Sequence, residues 1–303
     1  MEQPYIKVSF ITVNYNGYRH TLNLLDTIFD TTLSFSYEVI VIDNGSNVNE
    51  FETLQIEYPE IRGIYHPENL GFAGGNNLGI DLARGEYLYF LNNDTLLPKE
   101  AGNQIEAMIK FCSGHPEVGG LSPKIMYNSL PHLIQFAGST PLSTITIRNK
   151  QIGYQERDSG QYNTIKKIPY LHGAAMFVPK KVVAACGKLP TCYFLYYEEL
   201  DWSCIISRQY QLYYFPKAVI YHLESATTEK DSPLKAYYMS RNRIIFAFRQ
   251  RHAWYKWFAL AYLTFIATPV AFFKHTCKGQ TTQMKAVWKG TTSGYKWILN
   301  HYK

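Results

Sequence analysis

Two apolar segments of this sequence end directly in carboxylate and amide side chains. EVIVID (38–43) ends in Asp43, and YLYFLNND (87–94) ends in two asparagines and Asp94. Such oxygens suit hard divalent cations, and bound Mg²⁺ or Mn²⁺ commonly bridges to phosphate groups. Each aspartate could equally be a turn residue or a helix start. Two such endings at one edge of a sheet favour a site for a nucleoside diphosphate.

An acidic cluster, Glu198, Glu199 and Asp201, follows the aromatic stretch CYFLYY. One interpretation is a solvated first helical turn that the helix dipole favours. The aromatic residues before it indicate partial burial instead, and like charges held there raise the pKa of one carboxyl, which suits a general base. His222, after AVIY, is either a structural histidine or the partner of Asp94 in a metal site.

The glycine-rich stretch 71–79 has no GxGxxG spacing, and the sequence contains no GxxxxGK[ST]. A dinucleotide fingerprint and a P-loop are therefore unsupported. The glycines still allow the backbone to approach a ligand closely, or they mark the packed start of a helix.

Apolar runs without alternation are interleaved with helical patterns through the first part of the chain. Such runs are typical of a mostly parallel sheet covered by helices, in which ligands bind beyond the carboxyl ends of the strands. Segments 118–165 look irregular, and the region after 222 is helical. The predicted strands are 6–14, 37–46, 61–66 and 86–94, with helices over 71–85 and 99–113, a strand and helix over 168–187, an acidic helix start within 193–210 and an extended segment 211–222.

Composition indicates a folded protein: 303 residues, 46% hydrophobic and 18% charged. The five cysteines form no CxxC pair, so we expect reduced thiols in the cytoplasm. The start of the sequence, MEQPYIKVSF, does not have the pattern of a signal peptide. Residues 230–303 contain 13 basic residues and one acidic residue, whereas 1–229 contain 17 basic and 23 acidic residues. The two parts are therefore expected to face different partners.

The basic tail contains 17 consecutive uncharged residues, WFALAYLTFIATPVAFF (257–273), and four of the five tryptophans. A buried helical hairpin is one interpretation, and nucleic-acid binding is disfavoured by the long apolar run. We favour an interfacial helix on the anionic cytoplasmic face of the membrane, although 17 residues is also the lower limit for a spanning helix.

The motifs together resemble family 2 glycosyltransferases of GT-A fold, in particular the bacterial rhamnosyltransferase-like branch. The resemblance implies an α/β fold in which a mixed, mostly parallel nucleotide-binding sheet is flanked by helices and followed by a helical C-terminal extension. It divides the chain into a catalytic domain, 1–230, and the tail, 231–303; within the first, 1–115 bind the nucleotide sugar and 116–230 form the acceptor half. The segments that carry it are VSFITVNYNG (8–17), EVIVIDNGS (38–46), ENLGFAGGNNLGI (68–80), YLYFLNNDT (87–95), HGAAMFVPK (172–180), FLYYEELDW (194–202), YH (221–222) and SRNR (240–243).

The resemblance also implies roles for individual residues. Glu199 occupies the position of the usual catalytic aspartate, so the base is either Glu199 or Asp201. Asp94 is the last position of a DXD-like motif whose first carboxylate is absent here, and with His222 it would hold a divalent cation, Mg²⁺ or Mn²⁺. The donor contacts would be Thr12, Asn14, Asp43, Asn69, Gly71, Asn76, Asn93, Asp94 and Arg241, and the acceptor contacts His172 and Gly173.

The implied reaction is an inverting sugar transfer from a nucleoside-diphosphate donor to a hydroxyl of a glycan or lipid-linked acceptor, in cell-surface polysaccharide synthesis. dTDP-rhamnose is the favoured donor, with UDP- and GDP-sugars as alternatives. We expect the enzyme to lie peripherally on the inner face of the cell membrane and to bind no nucleic acid. The competing hypotheses are a sugar nucleotidyltransferase, whose Arg-containing N-terminal glycine loop is missing, and a non-catalytic protein that binds sugar nucleotides or glycans.

Overall fold

A mixed sheet forms the centre of the protein, with helices around it. The computed structural model describes residues 5–223 and 232–301. Within these ranges the strands are β1 Val8–Asn14, β2 Tyr37–Asn44, β3 Arg62–His66, β4 Tyr87–Leu91, β5 Thr95–Leu96, β6 Val118–Tyr127, β7 Ile134–Phe136, β8 Lys166–Lys167, β9 Ala175–Pro179 and β10 Gln211–His222. The helices are α1 Tyr18–Phe29, α2 Glu50–Glu57, α3 Gly71–Leu82, α4 Ala101–Gly114, α5 Lys180–Cys186, α6 Glu198–Ile206, α7 Pro233–Gln250, α8 Ala253–Tyr262, α9 Thr268–Cys277 and α10 Thr281–His301, with a π-helical turn, Leu263–Ala267, between α8 and α9.

The order of the main strands is β3-β2-β1-β4-β9-β6-β10-β5. Strand β1 pairs in parallel with β2 and β4, and β2 with β3, whereas β9 runs antiparallel to β4 and β6. The mixed, mostly parallel sheet expected from the sequence is therefore confirmed. In the β1–β2 register Asn14 lies opposite Asp43. The polar strand ends thus meet at one edge of the sheet, as their positions in the sequence predicted.

Strand β6 lies in a segment that the sequence pattern suggested was irregular. It is a ten-residue strand that is buried at every position. Its polar residues find internal partners: Lys124 Nζ bonds Asp158 at 2.7 Å and Asn163 Oδ1 at 2.6 Å, and Ser122 Oγ donates to the Ala175 carbonyl at 3.3 Å. The glycines, Ser, Pro and Lys interrupt the apolar run, so the sequence alone does not show the strand.

The tail is helical, as predicted, and its first helix packs against the body of the protein. α7 packs against α10, and a Cβ added at Gly290 would stand 2.3 Å from the Tyr237 carbonyl oxygen. Helices α8 and α9 with their π-turn form one continuous helix, Ala253–Cys277, long and apolar enough to cross a membrane, and 17% of its most apolar window is buried. The expected domain boundary at 230/231 lies outside the described residues.

The close α7–α10 contact predicts that Gly290→Ala lowers the free energy of unfolding by about 1–3 kcal/mol, because the backbone of α7 cannot yield to a new methyl group. Thermal unfolding followed by circular dichroism measures the effect. Gly114→Ala, at the end of α4, is the matched control, since an added Cβ there meets nothing within 4 Å. Equal melting temperatures for Gly290→Ala and the wild type would contradict the packing argument.

Candidate active site

Two adjoining cavities lie beyond the carboxyl ends of β1, β2 and β4. The strand-end cavity, about 360 Å³, is bordered by Asn69, Asn76, Asn93 and Asp94. The carboxylate cavity, also about 360 Å³, is bordered by His172, Gly173, Glu198 and Glu199. Both are lined by Phe72, Asn92, Leu195, Tyr196 and His222, so they meet along a common wall.

Five of the predicted donor-binding residues line the strand-end cavity: Asn69, Gly71, Asn76, Asn93 and Asp94. The loop that carries the first two is held by Asn44 at the end of β2. Asn44 Nδ2 donates to Asn69 Oδ1 and to the Gly71 carbonyl, both at 3.1 Å. Gly71 has φ 73°, and a Cβ there would stand 2.2 Å from the Phe194 carbonyl oxygen, so only glycine fits.

Thr12, Asn14 and Asp43 were predicted to contact the nucleotide, but they do not border either cavity. All three are buried. Asp43 accepts hydrogen bonds from the backbone N–H groups of Ser46, Glu50 and Phe51, and so caps α2. The side chain of Asn14 bonds Thr21 and Glu50, and the Thr12 hydroxyl has no partner among the described residues. The two polar strand ends therefore hold neighbouring loops and helices in place.

Asp94 and His222 come together where the two cavities meet. Their Oδ1 and Nε2 atoms are 3.1 Å apart, and both side chains are buried. His222 Nδ1 lies 2.8 Å from Gln135 Oε1, which orients the ring. A carboxylate oxygen and an imidazole nitrogen fit a divalent cation that takes its remaining ligands from phosphate and water. Residues 5–223 and 232–301 contain no group of three or more His, Cys, Asp or Glu side chains that could hold a metal ion. A cation at Asp94 and His222 would therefore need ligands from phosphate and water.

Glu198 and Glu199 share the carboxylate cavity at the first turn of α6. Burial raises the pKa of Glu199 to about 7. Burial, and then the charge of Glu199, raise the pKa of Glu198 well above its usual range. Glu198 is 2% exposed, and its Oε2 has no hydrogen-bond partner among the residues described. The raised pKa values favour the neutral form of Glu198 more strongly than that of Glu199, and Glu199 is poised to accept a proton.

His172 and Gly173 border the same cavity, on the side predicted for the acceptor. Burial, and then the charge of His222, lower the pKa of His172 to about 3, so its ring is neutral. The His172 Nδ1 accepts a hydrogen bond from the Ala174 N–H at 3.2 Å, which leaves the proton on Nε2.

Asp201, the other candidate base, lies away from both cavities. Arg249 Nε and Gln250 Nε2 each donate to its carboxylate at 2.6 Å, and the Tyr193 hydroxyl donates a third bond. Asp201 is fully buried. Two residues along a helix turn the side chain by about 200°, so Asp201 cannot share the face of Glu199. It joins α6 to α7.

Arg241 was predicted to lie near the diphosphate, but its guanidinium faces the loop that precedes α6. Its Nη1 donates to the carbonyls of Cys192 at 2.9 Å and Tyr193 at 3.3 Å. Among the described residues, the Lys or Arg that borders the strand-end cavity is Lys235, in the first turn of α7, whose Nζ lies 5.9 Å from the centroid of the Tyr196 ring. Sequence reasoning missed Lys235 and counted Glu198 only as part of the acidic cluster. The only feature of the sequence that could have pointed to Lys235 is its place two residues after Pro233, which with Ser232 marks the start of a helix.

A family model described as Glycosyl transferase family 2 matches residues 9–170, more than half of the chain. Among curated relatives, the low-salt glycan biosynthesis hexosyltransferase Agl10 of Haloferax volcanii is 26% identical over 198 residues, which are 64% of this chain and 59% of the relative. The chain thus spans less than two thirds of that relative's length.

Solved structures show the same fold at low identity. The mannosyltransferase PcManGT from Pyrobaculum calidifontis, in complex with GDP-Man and Mn²⁺, has a TM-score of 0.57 at 15% identity, over 97% of this chain and 88% of that one. GalNAc-T7 with UDP, GalNAc and Mn²⁺ has a TM-score of 0.62 at 13% identity, over 89% of this chain and 58% of that one. The GT-A-like fold is therefore confirmed, and the chain belongs to glycosyl transferase family 2.

Proposed function

We propose that this protein transfers a hexose from a nucleoside-diphosphate donor to a hydroxyl of a glycan or lipid-linked acceptor. The observation that carries the proposal is the common wall between two cavities of different chemistry. One contains the Asp94–His222 pair, which suits a diphosphate-bound cation. The other contains Glu199, a carboxylate poised to take a proton. A donor and an acceptor bound there would meet at His222.

The strand-end cavity would hold the donor. Asp94 and His222 would bind Mg²⁺ or Mn²⁺, which when bound neutralises charge on the diphosphate. The Mn²⁺ in PcManGT and GalNAc-T7 supports this choice. Lys235 would add a positive charge near the leaving group. Asn69 and Asn76 offer amide groups to the nucleotide and sugar.

The carboxylate cavity would hold the acceptor. Glu199 takes the proton of the attacking hydroxyl as its oxygen bonds to the anomeric carbon, and the bond from that carbon to the diphosphate breaks in the same step. This single displacement inverts the anomeric centre, and base catalysis contributes roughly 10²–10⁴-fold to its rate. Glu198, whose pKa burial raises above its usual range, borders the same cavity and can form a hydrogen bond with a neighbouring hydroxyl of the acceptor.

The resemblance and the relatives together support a short set of candidate donor sugars. The rhamnosyltransferase-like motifs favour dTDP-rhamnose. The Haloferax relative is named a hexosyltransferase, and the two solved structures hold GDP-mannose and UDP with GalNAc. UDP- and GDP-hexoses are therefore the alternatives, and cell-surface polysaccharide synthesis is the process to which such a transfer belongs.

The tail would place the enzyme on the cytoplasmic face of the membrane, with 231–303 acting as the attachment region of the 1–230 catalytic domain. Helices α8 and α9 and the π-helical turn between them expose large apolar side chains, among them Trp254 at 76%, Phe265 at 77% and Phe273 at 68%. The exposed face of α10 adds Lys285 and Lys289. Aromatic residues beside lysines suit the boundary between acyl chains and anionic headgroups.

Nucleotide binding tests the donor site. We expect one of UDP, GDP or dTDP with Mn²⁺ to stabilise the protein by about 2.7 kcal/mol at a hundredfold excess over Kd, and the matching sugar nucleotides to be turned over. Asp94→Asn removes the Mn²⁺-dependent part of the melting shift, because a carboxylate ligand is lost. Asp81→Asn is the control, since Asp81 lies on α3 in an exposed pair with Lys188. No shift with any of the three nucleotides would contradict the proposal.

The pH dependence of transfer tests the base. Because the carboxylate form of Glu199 is the active one and its pKa is about 7, kcat/KM should rise with pH up to about 7 and then level off. Glu199→Gln should lower kcat by roughly 10²–10⁴-fold and abolish this rise, while leaving nucleotide affinity unchanged. It should also stabilise the protein above pH 7, since burying the charged form opposes folding there.

Asp201→Asn provides the comparison. Loss of the bond to Arg249 should lower stability by about 1–3 kcal/mol and leave the rise with pH in place. A rise with pH that persists in Glu199→Gln and vanishes in Asp201→Asn would reverse the assignment.

Vesicle binding tests the tail. We expect the protein to sediment with phosphatidylglycerol vesicles and to be released by high salt. Phe265→Ser with Phe273→Ser should weaken binding by about tenfold or more, because two exposed rings no longer enter the bilayer. Ile56→Ser is the control, since Ile56 is 76% exposed on α2. Equal binding by the double variant and the control would exclude this surface.

A further inference from the structure

The loop 192–197, which precedes Glu198, has an unfavourable backbone conformation. Phe194, Tyr196 and Tyr197 have φ angles of 70°, 69° and 79°. This left-handed region disfavours residues that carry a Cβ, and three such residues so close together persist only when surrounding groups hold them. The loop therefore depends on contacts from outside.

Asn242, in the middle of α7, supplies these contacts. Its Nδ2 lies 3.0 Å from the Tyr193 carbonyl oxygen, 2.7 Å from that of Leu195 and 2.9 Å from that of Tyr196. Asn242 is fully buried. A carboxamide has two N–H groups, so the three carbonyls share them. Arg241 Nη1 donates to Asn242 Oδ1 at 2.7 Å, which orients the amide with its nitrogen towards the loop.

The same loop forms a wall of both cavities. Leu195 and Tyr196 border the strand-end cavity and the carboxylate cavity, and Glu199 is three residues after Tyr196 in the chain. The Phe194 carbonyl also accepts a hydrogen bond from the Phe72 N–H at 2.8 Å, at the start of α3. A shift of the loop would change the position of Glu199 relative to a donor held beside α3.

We propose that Asn242 is a positioning residue of the active site, which holds the left-handed loop 192–197 so that Glu199 faces the carboxylate cavity beside the bound donor. Arg241 supports it by fixing the amide and the first two carbonyls of the loop. The effect of Asn242 on kcat rests on the proposed transfer reaction, whereas its effect on the conformation of the loop does not. A misplacement of about 1 Å at a reacting group lowers the rate by roughly 10²-fold.

Asn242→Asp tests the proposal, because it keeps the shape and sets an acceptor oxygen against three carbonyl oxygens. Hydrogen exchange measured by mass spectrometry should rise roughly tenfold or more in peptides covering 192–197. kcat should fall about 10²-fold with the donor KM within roughly threefold of wild type. The rise of kcat/KM with pH should move to lower pH as water reaches Glu199 and its pKa falls towards its ordinary value.

Ile244→Val is the matched control: a buried residue of the same helix that packs against Gly294 of α10 and makes no hydrogen bond to the loop. It should lower the melting temperature without changing loop exchange or the pH profile. Arg241→Gln, at a partly exposed position, is the second variant should Asn242→Asp not fold, and it should raise exchange at 192–193.

Unchanged loop exchange in a folded Asn242→Asp, or in Arg241→Gln where Asn242→Asp does not fold, would overturn the inference. An equal loss of kcat in Ile244→Val would overturn it as well. If the wild type turns over no sugar nucleotide, the proposed function fails, and the exchange measurement alone decides the role of Asn242.

Discussion

The parallel pairing of β1 with β2 and β4 is the constraint on which the rest of the structure depends. Strands buried on both faces leave only their ends for polar chemistry, and the parallel register brings Asn14 opposite Asp43. Both side chains form hydrogen bonds inside the protein, Asn14 with residues of α1 and α2 and Asp43 with the first turn of α2. The loops that they and Asn44 position carry Asn69 and Gly71 to the cavity. The cavity is therefore bordered by residues of the loops that the strand ends hold, and not by Asn14 and Asp43 themselves.

The active site also depends on burying carboxylates with different partners. Asp201 receives hydrogen bonds from Tyr193, Arg249 and Gln250, whereas Glu198 and Glu199 border a cavity that no Lys or Arg among the described residues lines. The hydrogen bonds of the first carboxylate join α6 to α7, so it serves structure. Burial raises the pKa of Glu198 and of Glu199, which makes them suited to proton transfer. One short acidic sequence yields different roles, because Asp201 lies about 200° around the helix from Glu199 and meets the donors of α7.

Helix α7 joins these parts. It holds Asp201 at its C-terminal end, the left-handed loop at its middle through Asn242, and places Lys235 at the strand-end cavity. α10 packs against it through Gly290 and Gly294, where larger side chains would meet the α7 backbone. Helix α7 thus connects the rest of the basic tail to the residues that border the cavities. The sequence had assigned this helix to a tail separate from the catalytic domain.

The sequence by itself determined the class of fold, the edge of the sheet at which polar groups gather, and the family, because uninterrupted apolar runs and short motifs are local patterns. It also identified Asn69, Gly71, Asn76, Asn93, Asp94, His172, Gly173, Glu199 and His222, each of which borders a cavity. It could not assign β6, whose lysine and serine are buried with partners far along the chain. Only the tertiary structure showed that Asp201 and Arg241 bond groups outside both cavities, that Lys235 borders the strand-end cavity, and that Glu198 is buried beside Glu199. The reason is physical: whether a charged group serves structure or chemistry depends on which hydrogen-bond partners surround it, and the partners that join α7 to Asp201 and to the loop before α6 are 48 or 49 residues apart in the chain.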